Sequence, residues 1–346
     1  MSVNRGPLIS TGRIAHWVLV IVLVTGTVPT VISATGATQD SSSGSVAALV
    51  NAGRFRQATE VVEAALGHSP NDASLHYWLG RCFYELHDYS KAASSLDRAV
   101  SLAPNDSEYH DWLGKALGRR AEEGSPMNPF SGLSLARKTH HEFETAVHLA
   151  PTNLEAQRDL IRYLINAPGI VGGGEDRAAE QIKALSAIDP IEGELAQAEY
   201  LSTRKKFQQA SEEYQKVISQ QPQHIGIYFE IAEYYRDRGE GELMDRAIEA
   251  GSKLAPFDPR LGYYRGVAWV LMKKDLGGAE INLTTYLNTV PDSSQAPPHV
   301  SAYDWLGKAY EEDAKPDLAV EQYRHALLID PHDKTAHDAL KRLQKT

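Results

Sequence analysis

Small and large apolar residues recur along this chain at helical spacing, and each such run ends at a proline. Pro70, Pro104, Pro151, Pro190, Pro222, Pro256, Pro291 and Pro331 close similar segments, 32 to 47 residues apart. Twelve positions before them stand Ala58, Ala92, Thr139, Ala178, Ala210, Met244, Ala279 and Ala319. Eight before stand Val62, Leu96, Phe143, Ile182, Tyr214, Ile248, Leu283 and Tyr323, and five before stand Ala65, Ala99, Ala146, Leu185, Val217, Gly251, Tyr286 and Ala326. Steps of four and three put all three sets on one stripe of a helix. The small residue lets a neighbouring helix approach, the large one fills the gap, and the proline stops the helix. A second helix is predicted ahead of each of these. It is clearest at Trp78 to Phe83, Trp112 to Leu117 and Trp305 to Tyr310. The hexapeptide Asp-Trp-Leu-Gly-Lys-Ala occurs twice, at Asp111 to Ala116 and at Asp304 to Ala309.

With its Leu-Gly pair, later aromatic, Ala-x-x-x-aromatic and closing Pro, the unit resembles the tetratricopeptide repeat. The resemblance runs from about residue 39 to 333, through eight copies in register. The first copy lacks the Leu-Gly pair, and the fourth to sixth carry Ile161, Ala198 and Ala232 in place of the close-contact glycine. The resemblance implies an all-α fold: an α-solenoid (right-handed superhelix) of about eight helix-turn-helix units over residues 38–333. Lys334 to Thr346 then reads as a capping helix with a polar outer face. It also implies a non-catalytic protein–protein interaction scaffold, holding a peptide or protein in a concave groove lined by the first helices.

The segment ahead of the repeats follows a different pattern. Arg5 and Arg13 are the only charges before Asp40, and Trp17 to Val24 is continuously apolar. That run has the length of a signal-peptide core and falls short of the roughly 20 apolar residues of a spanning helix. Small residues at Ala34, Gly36 and Ala37 offer a cleavage site after Gly36 or Ala37. Residues 1–37 are therefore read as a signal peptide or, alternatively, an uncleaved membrane anchor; a buried core helix fits less well, because the segment has no polar face. Both leading readings put the repeats outside the cytoplasm, either periplasmic or secreted, or held beside the membrane through this segment alone.

Composition narrows the function classes. Apolar residues make up 42% and charged residues 23%, with a formal net charge of −10. Without the two arginines of the leader the charge is about −12, so neither nucleic acid nor an anionic lipid surface is expected as partner. The single cysteine, Cys82, allows no internal disulfide and no cysteine-rich metal site; it reads as a small buried hydrophobe.

Few residues suggest chemistry. Glu175 and Asp176 follow the glycine-rich Gly169 to Gly174, where a phosphate loop needs Lys and Ser or Thr, so the segment reads as a turn. His140-His141-Glu142 lacks the second histidine of a zinc-protease helix, since residue 145 is Thr145; its imidazoles read as solvated on a helix flank. No catalytic residue, cofactor or metal ligand is assigned, and the protein is not expected to be an enzyme.

Carrying the groove positions of the family over residue by residue selects Tyr77, Arg81, Tyr84, Lys115, Arg119, Arg158, Arg162 and Asn166 as partner-binding candidates. Five cations on three adjacent repeats of an acidic protein suggest an acidic or carboxylate-bearing peptide. The alternative is that they pair with acids such as Glu85, Asp111 and Glu155 and solvate the surface. The two largest insertions, near Arg120 to Leu133 and Ala167 to Asp176, fall on the same repeats and are expected as loops on one edge. An enzyme or small-molecule binder with these loops as a lid is the rival of another class.

Overall fold

The computed structural model describes residues 45–123, 129–292 and 296–344. Residues 1–37, read above as a leader or anchor, lie outside them. Among the described residues no helix is long and apolar enough to cross a membrane.

These residues form helices, with no strand among them, in antiparallel pairs. The first pair is α1 (residues 45–51) and α2 (Phe55–His68). The next are α3 (Ala73–Glu85) with α4 (Tyr89–Leu102), α5 (Ser107–Glu123) with α6 (Pro129–Leu149), and α7 (Leu154–Asn166) with α8 (Glu175–Ile188). Then come α9 (Pro190–Thr203) with α10 (Phe207–Ser219), α11 (Ile225–Asp237) with α12 (Gly241–Leu254), and α13 (Arg260–Met272) with α14 (Leu276–Thr289). The last pair is α15 (His299–Glu312) with α16 (Pro316–Ile329), covered by the single helix α17 (Lys334–Leu343). The chain is an all-α helical repeat solenoid of eight pairs and a cap among the described residues.

The periodic stripe makes the contacts within each pair. Every residue twelve or eight positions before its proline is buried, from Ala58 and Val62 to Ala319 and Tyr323. The glycine of the first helix faces the large residue of the second. A Cβ on Gly114 would lie 2.7 Å from the Phe143 ring, one on Gly266 2.7 Å from Leu283, and one on Gly307 2.8 Å from Tyr323; Gly80 faces Leu96 in the same way. Glycine at these positions lets the two axes approach until a whole side chain fits in the missing Cβ's place.

Successive pairs are joined by a short turn with two recurrent ties. The Asp or Asn two residues past the proline caps the next helix: Asp72, Asp106, Asn153, Asp258 and Asp333 each accept from a first-turn backbone N–H. Six residues past it, a side-chain N–H reaches back to the proline's own carbonyl, from His76, His110, Gln157 and His337 at 2.7–3.0 Å. Pro190 departs from the pattern. It opens α9 directly, and Asp189 ends α8 while capping α9, so no turn separates them.

His110 carries a second bond, from Nδ1 to Glu142 Oε2 at 2.6 Å. Both ring nitrogens thus face acceptors, which favours the imidazolium; the bond to Glu142, opposed by burial and aided by Pro104, raises its pKa above 6.5. A raised folded pKa contributes stability that is complete below the unfolded pKa and fades as pH rises through the folded value. His110→Gln keeps the tie to Pro104, as Gln157 shows at Pro151, and removes the titration. Urea unfolding from pH 5.5 to 8.5 should lose about 1 kcal/mol more in the wild type than in His110→Gln, the margin of a charge-assisted over a neutral bond. Superimposable profiles for the two proteins would show that the His110–Glu142 bond does not carry this difference.

First helices of successive pairs also touch one another: α3 on α5, α5 on α7, α7 on α9, α11 on α13 and α13 on α15. A stack whose layers approach along one side curves toward that side, so the first helices line the inner face. At the junction of α10 and α11 large rings intervene, Tyr214 meeting Tyr234 at 4.5 Å and Tyr235 at 6.4 Å between centroids.

The first insertion is helical at both of its ends. It lengthens α5 to 17 residues and α6 to 21, leaving only residues 124–128 outside the described structure between them. Extending two helices that already pack together buries more surface than a free loop would. The second insertion is a turn, Ala167 to Gly174, with one 3₁₀ turn at Gly169–Val171 and Gly172 at φ 106°.

Candidate functional site

The lengthened α5 and α6, with α7 and the glycine turn, enclose a cleft of about 520 Å³ between the third and fourth pairs. Its floor is made of small residues, among them Gly114, Gly118, Gly132 and Ala136. The glycine turn forms one wall and is held there by Tyr163. The Tyr163 hydroxyl lies 2.7 Å from the carbonyl oxygens of both Ala136 in α6 and Val171 in the turn, donating to one at a time. Burial pushes this phenol up to about 12, so it stays a donor at any ordinary pH. His140 stacks on the Tyr163 ring at 5.3 Å, and burial lowers its pKa. The expectation of a solvated histidine fails for His140, because the turn folds back and sets Gly172 against the imidazole.

Five of the eight candidate residues line this cleft: Tyr84, Lys115, Arg119, Arg162 and Asn166. Arg119 and Arg162 stand at its mouth, their side chains 47% and 45% exposed, so the cleft opens to solvent. Arg119 Nη1 meets Glu122 at 2.6 Å, and Nη2 donates to the Tyr89 hydroxyl at 3.3 Å. Arg162 Nε meets Glu199 at 3.1 Å, and Nη1 meets Asp159 at 3.4 Å.

The other three lie elsewhere. Tyr77 is buried, stacks on Tyr109 at 4.9 Å and gives its hydroxyl proton to Glu108. Its neighbour in the next layer therefore takes the face on which a partner was expected. Arg81 donates to the Tyr77 hydroxyl at 3.1 Å and lies 4.3 Å over Trp112 and 5.0 Å over Trp78, a guanidinium enclosed by aromatic faces. Arg158 points away from the cleft, along the inner face. It bonds Glu230 of α11 with both Nη atoms and stands 3.3 Å from Glu192 and 3.6 Å from Glu199 of α9. One guanidinium thus spans three successive first helices. Burial opposes its charge, but Glu230 and the other two carboxylates outweigh it and raise its pKa.

Lys115 is enclosed in the same manner. Its ammonium lies 2.8 Å from Asp111, 2.6 Å from Glu155 and 3.0 Å from Asp159. The three carboxylates lie close enough together to hold a metal ion, but the lysine occupies their centre. Burial drives the Asp111 carboxyl up, with Lys115 opposing; for Lys115, burial is outweighed by the acids and its pKa is raised.

The predicted basic stretch is therefore charge-paired across layers. Two of its members, Lys115 and Arg158, hold helices together, and two, Arg119 and Arg162, remain half open to solvent. The acids that pair with them include Glu192 and Glu230, which a reading within single helices could not select: their partner Arg158 lies 34 and 72 positions away. Cys82 is buried, and burial pushes its thiol up to about 11, as suits an unreactive core residue.

Residues 49–116 match a model described as tetratricopeptide repeat, and residues 300–333 match another of the same description. No curated protein sequence matches the chain. Among solved structures it is similar to a chain of the APC/C hetero-tetramer Cut9-Hcn1, at 13% identity and TM-score 0.47, over 90% of this chain and 57% of that one. This chain thus spans little more than half of that protein. A tetratricopeptide repeat protein from Parabacteroides merdae is similar at 14% identity and TM-score 0.46, over 89% of this chain and 100% of that one. An O-GlcNAc transferase from Thermobaculum terrenum is similar at 20% identity and TM-score 0.38, over 46% of this chain and 28% of that one. The two matched segments lie near opposite ends of a stack in which glycine faces a large residue in the second, third, seventh and eighth pairs. The chain is a tetratricopeptide repeat protein and, in the general sense of that family, a protein-interaction scaffold.

Proposed function

We propose that this protein is a non-catalytic scaffold that works outside the cytoplasm and takes a peptide or protein partner on its inner, first-helix face. The observation that carries the reading is the cleft between the third and fourth pairs. It has a floor of small residues, a wall pinned by Tyr163, and the half-exposed Arg119 and Arg162 at its mouth. Small floor residues leave room for an apolar anchor of the partner, and the two guanidinium groups offer planar, charge-assisted contacts beside it. A carboxylate next to that anchor would exchange with Glu122 or Glu199 for these arginines, which makes an acidic partner the favoured kind. Residues 1–37 supply export or tethering in this reading.

The test is partner capture from the extracytoplasmic fraction with a protein carrying Arg119→Glu and Arg162→Glu. Both side chains are about half exposed, so melting should shift by no more than a few degrees while capture falls about tenfold or more and loses its salt dependence. Unchanged capture would remove the cleft from the binding surface. Amino-terminal sequencing of the mature protein separates a cleaved leader from a retained anchor.

The cleft also supports a second reading, in which a small molecule enters beneath the lengthened α5 and α6. Its open mouth favours a protrusion from a larger partner instead.

A further inference from the structure

The hexapeptide that occurs twice has two different surroundings. In the third pair Lys115 is enclosed by Asp111 of its own helix and by Glu155 and Asp159 of the next first helix, α7. In the eighth pair Asp304 and Lys308 occupy the same places, and the helix that follows is the cap, α17. Counting from Pro151 and Pro331 aligns the two following helices, and the alignment is anchored physically. Gln157 and His337, six past their prolines, make the same bond to the proline carbonyl. In that register Glu155 corresponds to Thr335 and Asp159 to Ala339.

Both carboxylates are thus missing from the cap, and the place they would fill is open. A cleft of about 600 Å³ lies there, lined by Asp304, Trp305, Lys308, Thr335, Ala339 and Arg342 among others. Lys308 is exposed where Lys115 is largely covered. Its ammonium lies 4.8 Å over the Trp305 ring and has no carboxylate at ion-pair distance among the described residues. Arg342 is held at the far side by Glu311, at 2.7 and 2.8 Å.

We propose that this terminal cleft docks a helix of a protein partner, one that carries two carboxylates a single turn apart and sets them around Lys308 as α7 sets Glu155 and Asp159 around Lys115. The proposal rests on the scaffold reading and assigns a second contact to it, at the opposite end of the inner face from the Arg119–Arg162 cleft. The nearby acids do not forbid it. Lys115 already holds three carboxylates, one of them the equivalent Asp111. Asp304, pushed up to about 7 by burial and by Asp333, is itself readily protonated.

The probe is a stapled, alanine-rich helical peptide with Glu and Asp four positions apart, compared with peptides carrying Gln and Asn, or two Lys, at those positions. Binding to the full chain is measured by calorimetry at low salt. The acidic peptide should bind about tenfold or more tightly than the amide peptide, and Lys308→Met should erase that difference without lowering the melting temperature. Thr335→Glu, at an exposed position, should supply one of the missing acids from within and weaken acidic-peptide binding. Equal binding of the acidic and amide peptides, no binding of any, or retention of the difference in Lys308→Met would overturn the proposal. Preference for the lysine peptide would overturn it too, and would mark the cleft as a cation site around Asp304 and Glu311. If these arms fail while capture still depends on Arg119 and Arg162, the scaffold reading stands and only this site falls.

Discussion

Arg158→Met should cost about 3–5 kcal/mol of unfolding free energy, the largest loss expected from any single change on the inner face. The side chain is 11% exposed and its three acids lie between 17% and 30%, so the network is shielded from both water and salt. Methionine conserves much of the volume and removes only the cation. Glu192, Glu199 and Glu230 are then left facing one another on α9 and α11, with Arg162 still paired to Glu199 alone. The Glu192 carboxyl, already raised by burial with Arg158 opposing, must then rise further. A raised carboxyl penalises the folded state at high pH, and the penalty is relieved as pH falls. The deficit of Arg158→Met in urea unfolding should therefore be largest near neutrality and shrink on acidification toward pH 4. A constant deficit would mean that packing, and not charge, is what Arg158 supplies. The same reasoning bars Arg158 from tests of partner binding, since its reversal would report on the solenoid's curvature.

The second large effect is expected at the glycine of the third pair. A Cβ at Gly114 would lie 2.7 and 2.8 Å from two atoms of the Phe143 ring, which is itself buried. Gly114→Val gains only about 0.4 kcal/mol of helix propensity and loses more than that to overpacking, for a net cost of about 2 kcal/mol. Phe143→Ala alone should cost about 3–5 kcal/mol through the cavity it leaves. Together the two changes should cost less than their sum by about 1–3 kcal/mol, because the valine fills part of the space the ring vacates. Strict additivity in a double-mutant cycle would show that the pair does not meet as described. Gly307 and Tyr323 repeat the geometry and should show the same coupling.

Much of the fold is legible in the chain because it is periodic. Thr139 and Met244 replace alanine in the stripe and are still fully covered, which shows that register and not residue identity fixes which side is buried. Two recurrent ties have equally local signals: the Asp or Asn two residues past the proline and the His or Gln six past it. Both are visible once the eight segments are aligned, since each acts within one turn and its partner is a few residues away.

The candidate site was legible only in part. Positions on the first helices could be chosen from the repeat, and five of the eight do converge on one cleft. That Tyr77 is covered while Tyr84 is not depends on which ring of the next layer stacks on it, and here Tyr109 does. The insertion near Arg120 looked like a loop because glycine and proline mark turns locally. The helices on either side instead extend into it, since each lengthens a surface the other already covers.

The amino-acid sequence by itself determined the helix pairs, their order and the stripe each buries, because those follow from spacing over a few residues and are repeated eight times. What the tertiary structure alone decided is the electrostatic character of the inner face. Lys115 and Arg158 count as positive in any sequence total, yet each is neutralised by acids from other layers, up to 72 positions away. Curvature brings those groups within 3–4 Å, and charge acts through distance in space and not along the chain. The same fact separates Lys115 from Lys308, two lysines of identical local sequence, one enclosed by the following helix and the other left open by it.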